Sequence, residues 1–312
     1  MINLKSDNLP VFPEFKLVAL EDKATFFTHT SHFPPYSDFN FTSLWCYNTG
    51  NDVIISGLNE NLVMLFRDYI TNEPFYTFLG NNKPKETTET LLDDAKRKGL
   101  MNILKLIPEH NFLNSPEIYK SFDIKEDPDN YDYILSVEEL CELPGSKYHS
   151  QRNHVSRFNR EYSGMDIRIL ESRDKNVQKS VIDLFYFWEK QKNKKREDTE
   201  IELTAIKRLL KDEEYFELVI VGIYDKERLV GFTISDAVDS EYAMLSFAKA
   251  DQSYFGIYQF LYNLTAKEFQ KKGLKFINIE QDLGIPGLKF SKQQWNPIKY
   301  LKKYIIKSRD QD

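Results

Sequence analysis

The sequence predicts an α+β fold of two similar units, each with a mixed, mostly antiparallel sheet flanked by helices. Its second half is predicted to run strand, two helices, three antiparallel strands, helix and strand. Its first half repeats the last part of that order, from a hairpin onward. The tripeptide Lys98-Gly99-Leu100 also recurs 174 residues later as Lys272-Gly273-Leu274, and each copy closes a predicted helix and opens a strand. A shared order of elements together with a shared tripeptide indicates a tandem repeat.

The second half opens with a short predicted strand over residues 165–170. Two amphipathic helices follow, because apolar residues recur at the spacing of one helix face. These apolar residues are Val181, Leu184, Phe185 and Trp188 in the first helix, and Leu203, Ile206 and Leu210 in the second. The three antiparallel strands are predicted over residues 218–224, 229–237 and 241–248, with turns at 225–228 and 239–240.

A third helix is predicted from about Gly256 to Gly273. One of its faces carries Ile257, Phe260, Leu261 and Leu264. Gly273 fits the C-terminal cap, because glycine adopts the left-handed conformation required there at little cost. A strand over 276–279 and a last helix or helix–strand segment over 297–306 complete the second half.

The first half resembles a shortened copy of the second. Its predicted elements are strands over residues 52–58, 62–66 and 75–79, a polar helix over 85–98 and a strand over 102–107. A linker is expected over 126–145, where Asp127-Pro128-Asp129-Asn130 and Pro144-Gly145 are loop signals. The predicted domains are therefore 1–140 and 141–312, and the first is expected to be structural.

The composition is typical of a folded protein of about two domains, with 312 residues of which 41% are hydrophobic and 14% aromatic. A net charge of -6 argues against a general polyanion binder. No run approaches the roughly 18 apolar residues of a membrane span, and residues 1–10 lack the apolar core of a signal peptide. The two cysteines, Cys46 and Cys141, suit a reducing cytoplasm, although a disulfide between them stays open. A cytoplasmic location is expected, with a peripheral position at the inner membrane surface as the alternative.

The order of elements in the second half resembles the GNAT (Gcn5-related N-acyltransferase) fold. In that fold the strand before the central helix separates from its neighbour, the acyl donor lies in the gap, and donor phosphates lie near the helix N-terminus. The resemblance implies a donor site near Phe247 and along Tyr254-Phe255-Gly256-Ile257-Tyr258. A helix N-terminus can hold phosphate through its N–H groups. The alternative is a helix start packed with aromatic side chains, and users of acetyl-CoA carry a glycine-richer loop than this one.

Two carboxylates, Glu280 and Asp282, follow the last predicted strand and precede Gly284 and Gly287. In a regular strand, residues two apart point to the same side. One carboxylate could accept the proton of an attacking amine or hydroxyl, and the glycines would let backbone approach a ligand. The alternative is that one of the two carboxylates caps the loop through backbone N–H groups, as Asp often does.

Two segments without acidic residues stand out as basic: 145–160 and 284–309. Their candidate phosphate- or RNA-binding residues are Lys147, His149, Arg152 and His154 in the first, and Lys289 and Lys292 in the second. The alternative is a solvated face whose charges are balanced by acids elsewhere. His149, His154 and Cys141 fit no zinc pattern, so no metal is expected.

The segments Lys147-Tyr148-His149-Ser150-Gln151-Arg152-Asn153-His154, 278–288 and Trp295-Asn296-Pro297 with Lys292 resemble the DUF2156 family. That family is similar to the C-terminal catalytic domain of phosphatidylglycerol lysyltransferases. The resemblance covers essentially the whole chain and implies two tandem GNAT-like domains. In the lysyltransferases this domain moves an aminoacyl group from aminoacyl-tRNA to a lipid hydroxyl, whereas this chain has no multi-span membrane region.

These observations predict an acyl- or aminoacyl-transferase that acts by direct attack, without a covalent enzyme intermediate. The donor is either aminoacyl-tRNA or a CoA thioester, and the acceptor is an unidentified small molecule or lipid headgroup. A non-catalytic module that binds a nucleotide, RNA or lipid headgroup is the alternative. The oligomeric state is left open.

Overall fold

The computed structural model describes residues 9–309, which form two compact units. The first unit comprises 9–132, Gln281–Ser291 and 300–309. The second comprises Tyr133–Glu280 and Lys292–Lys299. The chain therefore returns to the first unit after residue 280, which differs from a single boundary at residue 140. Residues 1–8, part of the segment used to argue against a signal peptide, lie outside the described residues.

The strands and helices are numbered along the chain. The strands are β1 (Lys16–Leu17), β2 (Ile54–Leu58), β3 (Asn61–Arg67), β4 (Pro74–Leu79), β5 (Ile103–Pro108), β6 (Phe122–Glu126), β7 (Asp132–Ser136), β8 (Asp166–Leu170), β9 (Leu218–Asp225), β10 (Arg228–Ala237), β11 (Tyr242–Ala250), β12 (Phe276–Asn278), β13 (Lys299–Leu301) and β14 (Lys303–Ser308). The helices are α1 (Lys23–Thr30), α2 (Phe41–Tyr47), α3 (Pro84–Arg97), α4 (Ile118–Ser121), α5 (Val137–Glu142), α6 (His149–Glu161), α7 (Lys175–Gln191), α8 (Glu200–Lys211), α9 (Ile257–Lys271) and α10 (Pro286–Gln293).

The sheet of the first unit has seven strands in the order β1-β2-β3-β4-β5-β14-β6. Neighbours are antiparallel except β4 and β5, which are parallel and pair at Tyr76 and Leu104. Helix α3 packs on β4 and β5, so its buried Leu91 and Leu92 join a core with Phe78 from β4. The predicted hairpin, third strand, helix and following strand are all confirmed within two residues.

The second sheet also has seven strands, in the order β13-β7-β12-β11-β10-β9-β8. Strands β8 to β11 form an antiparallel series, and β12 is parallel to β11. Helix α9 packs on β9, β10 and β11, and α7 packs on β10 and β11. Both units thus contain three antiparallel strands, a helix and a parallel strand, so the predicted α+β class with two GNAT-like domains is confirmed.

The repeated Lys-Gly-Leu tripeptide ends a helix in both units. Gly99 and Gly273 have φ values of +67° and +79°, which favour glycine. After each glycine, a leucine N–H donates to a carbonyl five residues earlier, at 2.9 Å for Leu100 and 3.1 Å for Leu274. This bond is the mark of the Schellman cap. The two matching tripeptides therefore form the same kind of helix end in both units.

The sequence analysis missed β7 and α5 near residue 130 and α10 near residue 290. The expected linker contains β7 and α5, and Ile134 and Leu135 of β7 are fully buried beside β12. The segment 297–306, predicted as a helix or a helix–strand segment, forms strands over residues 299–301 and 303–306, so the helical part of the prediction is wrong. The helix lies earlier, at α10, where the glycines had indicated a loop. No helix in residues 9–309 has the length and apolarity to cross a bilayer.

A buried ammonium group joins distant segments of the first unit. Lys303 Nζ lies 2.5 Å from Asp38 Oδ2 and 2.8 Å from Asp132 Oδ1, and all three side chains have no exposed surface. Ser37 Oγ lies within hydrogen-bond distance of both Asp132 Oδ1, at 2.6 Å, and Gln281 Oε1, at 2.5 Å. A charge can be buried at tolerable cost only when it is paired and hydrogen-bonded. This cluster therefore fixes β14 and the segment at residue 281 within the first unit.

Replacing Lys303 with methionine should destabilise the protein, because it leaves two buried carboxylates without their cation. The free energy of unfolding should fall by about 3–5 kcal/mol in a denaturant titration. Lys307→Met on the exposed part of the same strand is the control and should change it by less than about 0.5 kcal/mol. Equal losses in the two variants would contradict a special role for Lys303.

The same cluster predicts a pH dependence confined to alkaline solution. Burial alone lowers the pKa of Lys303, but the charges of Asp132 and Asp38 outweigh it and raise the pKa above its ordinary value. A raised pKa in the folded state stabilises below the unfolded pKa, and this stability is lost as pH rises through the folded pKa. The contribution of Lys303 to the free energy of unfolding should therefore be constant at neutral pH and fall only above about pH 10.4. The difference between wild type and Lys303→Met, measured against pH, checks this.

Candidate active site

In the second unit the parallel strands β11 and β12 stop pairing before β11 ends, and this place is called the β11–β12 opening below. The pairing of β11 with β12 ends at Met244 and Asn278, whereas β11 continues to Ala250. Just beyond that point, the register of β11 against β10 shifts, which leaves Ser246 as the extra residue of a β-bulge. Within the described residues, the buried Ser246 Oγ has no hydrogen-bond partner. Bulges often lie beside active sites, where they redirect backbone and side chains.

The corresponding place in the first unit is closed by its own side chains. Beyond the pair of Tyr76 and Leu104, the Thr77 hydroxyl donates to the Leu106 carbonyl at 3.3 Å. The fully buried Asn111 amide donates to the Phe78 carbonyl at 2.7 Å and accepts from the Gly80 N–H at 3.3 Å. The gap between β4 and β5 is thus occupied. This makes the second unit the better candidate for chemistry.

The loop before α9 is organised by a buried carboxylate. Asp251 Oδ1 accepts the Ser253 N–H at 3.0 Å and the Gln191 amide at 3.0 Å, and Oδ2 pairs with Arg228 at 2.9 Å. Burial alone would raise the pKa of Asp251, but these hydrogen bonds outweigh it and hold the pKa below its ordinary value. A charged carboxylate at the start of this loop disfavours a donor phosphate there.

The presence of glycine at position 256 is explained by its backbone conformation and by close packing. Its φ is +80°, and a Cβ at this position would lie 2.7 Å from the His154 carbonyl oxygen of α6. The imidazole ring of His154 in turn packs edge-on against Phe255, with ring centroids 4.7 Å apart. Gly256 therefore permits close contact between the loop before α9 and α6, as the packing alternative predicted.

The other predicted donor-binding residues of this region are mostly packed. Phe247 and Ile257 are 1% and 2% exposed, so only their backbones could touch a donor. The Tyr254 hydroxyl donates to Asp225 at 2.7 Å. The Tyr258 hydroxyl accepts the Ala250 N–H at 3.2 Å, and burial raises the pKa of Tyr258 to about 12. Tyr258 is thus a neutral phenol fixed to the end of β11.

Glu280 follows β12 in a turn. The strand ends at Asn278, whose side chain accepts the Glu280 N–H at 2.7 Å, and Glu280 has a φ of +61°. The expectation that Glu280 and Asp282 share one side of a regular strand is therefore wrong. Burial, followed by the charges of Tyr258 and of the half-buried Glu280, raises the pKa of Tyr262 on α9, so Tyr262 is a neutral phenol.

An aromatic pair adjoins this site. Tyr262 stacks on Trp295, with centroids 4.1 Å apart and an interplanar angle of 4°. The Trp295 carbonyl accepts the Tyr148 hydroxyl at 3.2 Å, and the Gln294 carbonyl accepts the Gln151 amide at 2.6 Å. Sequence reasoning gave Tyr262 no role, because its place on α9 is indistinguishable from that of a core residue.

Lys292 is bonded beside the end of β12, where its ammonium donates to the Ile279 carbonyl. This lysine was predicted to hold donor phosphates. The bond instead connects the segment before Trp295 to the residue before Glu280, so in the structure Lys292 supports the turn that carries Glu280.

Asp282 lies in the first unit, where it caps its own loop. Its side chain has no exposure, and Oδ1 accepts the Gly284 N–H at 2.8 Å. Gly284 has a φ of +69°, and a Cβ there would lie 2.8 Å from Asp129 Oδ2. Lys289 pairs with the same Asp129 at 3.4 Å. The capping alternative is therefore realised for Asp282, and Gly284 allows close packing.

The basic residues of segment 145–160 have partners within the second unit. Lys147 pairs with Glu139 at 2.8 Å. Arg152 donates to the carbonyls of Leu143 and Gly145, and the His149 ring lies 3.4 Å from the Asn153 amide. Glu139 thus balances the charge of Lys147, whereas Arg152 and His149 are bonded to uncharged groups nearby.

Metal chemistry has no ligand set here. Across residues 9–309, no group of three His, Cys, Asp or Glu side chains could hold a metal ion. Neither Cys46 nor Cys141 is in a disulfide. Burial raises the pKa of the Cys141 thiol to about 11, which keeps it protonated and unreactive at neutral pH.

Comparison with known proteins identifies the family. The family model for the C-terminal region of phosphatidylglycerol lysyltransferase matches residues 31–307. The chain belongs to this family. The match includes Ser246, Glu280, Tyr262 and Trp295, and therefore the whole opening of the second unit.

Solved structures share the fold. A conserved protein of unknown function from Bacteroides thetaiotaomicron is 25% identical, with a TM-score of 0.83 over 95% of this chain and 99% of that one. The C-terminal domain (DUF2156) of a putative lysylphosphatidylglycerol synthetase from Agrobacterium fabrum is 12% identical, with a TM-score of 0.63 over 92% of each chain. At such low identity the second likeness concerns the fold alone.

A curated relative is an uncharacterised protein of Mycoplasmoides gallisepticum. It is 23% identical over 178 residues, which are 56% of this chain and 55% of that protein. The matched part thus spans about half the length of that relative.

Gly256→Ala should destabilise the protein without any ligand. The left-handed conformation costs an alanine about 1–2 kcal/mol, and the contact with the His154 carbonyl adds to this. Gly287→Ala is the control, because a Cβ there meets nothing within 4 Å and alanine favours α10. Thermal denaturation should show a lower Tm for the first variant and an equal or higher Tm for the second. An unchanged Tm for Gly256→Ala would restore a ligand-binding reason for this glycine.

Proposed function

We propose that the protein is an aminoacyltransferase whose reaction takes place at the β11–β12 opening of the second unit. The observation that supports the proposal is the bulge at Ser246, just beyond the place where β11 stops pairing with β12, in a chain of the phosphatidylglycerol lysyltransferase family whose Glu280 lies in the turn after β12. The donor is an aminoacyl-tRNA, and the acceptor is a lipid-headgroup hydroxyl such as that of phosphatidylglycerol.

The steps need only groups of the protein and the two substrates. The acceptor hydroxyl attacks the carbonyl carbon of the aminoacyl ester, and the Glu280 carboxylate takes its proton. Backbone N–H groups at the bulge around Ser246 would stabilise the oxyanion that forms. Collapse breaks the bond to the ribose oxygen, which receives the proton, so the aminoacyl ester is transferred and the tRNA leaves with a free hydroxyl.

The loop before α9 supports an aminoacyl ester over a CoA thioester. A CoA donor would bring its pyrophosphate to the N-terminus of α9, as in the GNAT resemblance. There the charged Asp251 holds the loop, and Gly256 is packed against His154. An aminoacyl ester needs no pyrophosphate at this position. The basic residues support tRNA binding less well. They have partners, and they form no continuous accessible basic surface within the described part of either unit.

A non-catalytic binding module is the second candidate, and the capped state of Asp282 favours it. One of the two predicted catalytic carboxylates is buried and bonded to its own loop. In that case the protein would bind aminoacyl-tRNA or a lipid headgroup without turnover.

The decisive experiment offers the purified protein lysyl-tRNA carrying radiolabelled lysine, together with vesicles that contain phosphatidylglycerol. Label in the lipid fraction supports the proposal, and label from acetyl-CoA alone would replace it with an acyl-CoA transferase. Thermal stabilisation by tRNA without transfer in any combination would favour the binding module. A ligand at 100 times its Kd stabilises by about 2.7 kcal/mol, which is easily measured.

Glu280→Gln should lower kcat by about 10²- to 10⁴-fold, because general base catalysis contributes about this much. KM should change little, since the amide keeps the size of the side chain. Glu268→Gln on α9 is the control, because Glu268 pairs with Lys271 and has no role in the proposed steps. A steady-state rate equal to wild type in Glu280→Gln would remove Glu280 from the mechanism.

Asp282→Asn tests the other carboxylate. The asparagine keeps an oxygen that can accept the Gly284 N–H, so the loop and the fold should persist. If Asp282 is catalytic, turnover falls strongly while the Tm stays near that of wild type. A wild-type rate would leave Asp282 with its capping role alone.

A further inference from the structure

Strand β8 is an edge strand with exposed apolar side chains. It lies at one end of the second sheet, and all five of its residues pair with β9 on one side. Ile167 and Ile169 are 44% and 52% exposed, although their cross-strand neighbours on β9 are buried. An exposed apolar edge offers unpaired backbone groups and invites another strand.

The sequence of this edge is self-complementary. Residues 165–169 read Met-Asp-Ile-Arg-Ile, so the central Ile167 is flanked by an acid on one side and a base on the other. In an antiparallel pair of two such strands centred on Ile167, Asp166 faces Arg168 of the second copy on both sides of the centre. Met165 then faces Ile169 of the second copy. Opposite charges and apolar residues placed directly opposite stabilise antiparallel pairs.

Other registers are disfavoured by the same pattern. A pair centred on Arg168 places two guanidinium groups opposite each other, which is destabilising. A pair centred on Ile169 faces Arg168 with the apolar Leu170 and leaves Asp166 beyond the paired residues. Only the centre at Ile167 satisfies both the charges and the apolar residues.

We propose that two copies of this chain associate by antiparallel pairing of their β8 edges, centred on Ile167. The resulting interface is isologous, as expected for a two-fold dimer, and joins two seven-stranded sheets into one. Within one copy, Arg168 lies over the Tyr224 ring at 4.4 Å and pairs with Asp166 at 2.7 Å. Both charged groups are thus already held at the edge, where the second copy meets them.

Sedimentation equilibrium over a range of concentrations tests the association. Wild type should approach twice the monomer mass at high concentration and return to the monomer on dilution. Ile167→Lys puts two ammonium groups opposite each other and should abolish the dimer. Ile201→Lys on α8, where the isoleucine is 59% exposed compared with 44% for Ile167, is the control and should leave the dimer intact. A monomer at every concentration, or a dimer that survives Ile167→Lys, overturns the proposal.

Reversing the charges tests whether the dimer depends on the pairing of opposite charges between the two copies, and not on apolar surface alone. Arg168→Asp should weaken the dimer, because the new carboxylate faces that of Asp166 in the second copy. The double variant Asp166→Arg with Arg168→Asp restores opposite charges and should restore association. Failure of the double variant to recover, with an unchanged circular dichroism spectrum, would contradict the proposed pairing.

Cysteine cross-linking tests the register. In the proposed pair, Ile167→Cys brings two thiols opposite each other, so mild oxidation should give a covalent dimer on a non-reducing gel. Ile169→Cys faces Met165 of the second copy and should give none. Wild type is the background control, because Cys46 is buried and Cys141 half-buried. A cross-link through residue 169 and not through 167 would overturn the register and the proposal.

Discussion

The first unit depends on one buried cation. Lys303 pairs with both Asp38 and Asp132, and none of the three side chains reaches solvent. Because the carboxylates come from residues far apart in sequence, satisfying them requires β14 to take its place in the sheet. Gln281 is hydrogen-bonded to Ser37 of the same cluster. The cluster therefore helps to fix the conformation of the loop that continues to Asp282.

The two units share one arrangement of strands but differ where their parallel strands stop pairing. Each has a helix that returns the chain to a parallel strand, and each has parallel strands that pair only in part. In the first unit the space is taken by Asn111, which bonds the Phe78 carbonyl and the Gly80 N–H at the end of β4. In the second unit a bulge at Ser246 follows the place where β11 stops pairing with β12. The difference rests on a few polar side chains and leaves the sheets alike.

Much of the fold could be predicted from the sequence, because hydrophobic periodicity and glycine caps act locally. Gly99 and Gly273 marked the helix ends and the repeat. β7 was missed because its short apolar run lies between turn signals, and its burial comes from pairing with β12, which local sequence does not encode. The candidate site was harder to predict from the sequence than the fold. Asp282 and Glu280 were found by spacing, but their backbone conformations depend on Asn278 and Gly284 contacts. Tyr262 could be recognised as a residue of this region only from its stacking on Trp295 in the structure.

The position of β14 between β5 and β6 bears on how the chain folds as it is synthesised. Domains commonly fold in the order in which they leave the ribosome. Here the long segment of the second unit, Tyr133–Glu280, emerges before the strand that completes the first sheet. Until residue 303 is released, β5 and β6 lack the strand between them, and Asp38 and Asp132 lack their cation. The first unit is therefore begun first and finished last, so a ribosome that stalls before β14 emerges leaves the edges of β5 and β6 open to other nascent chains.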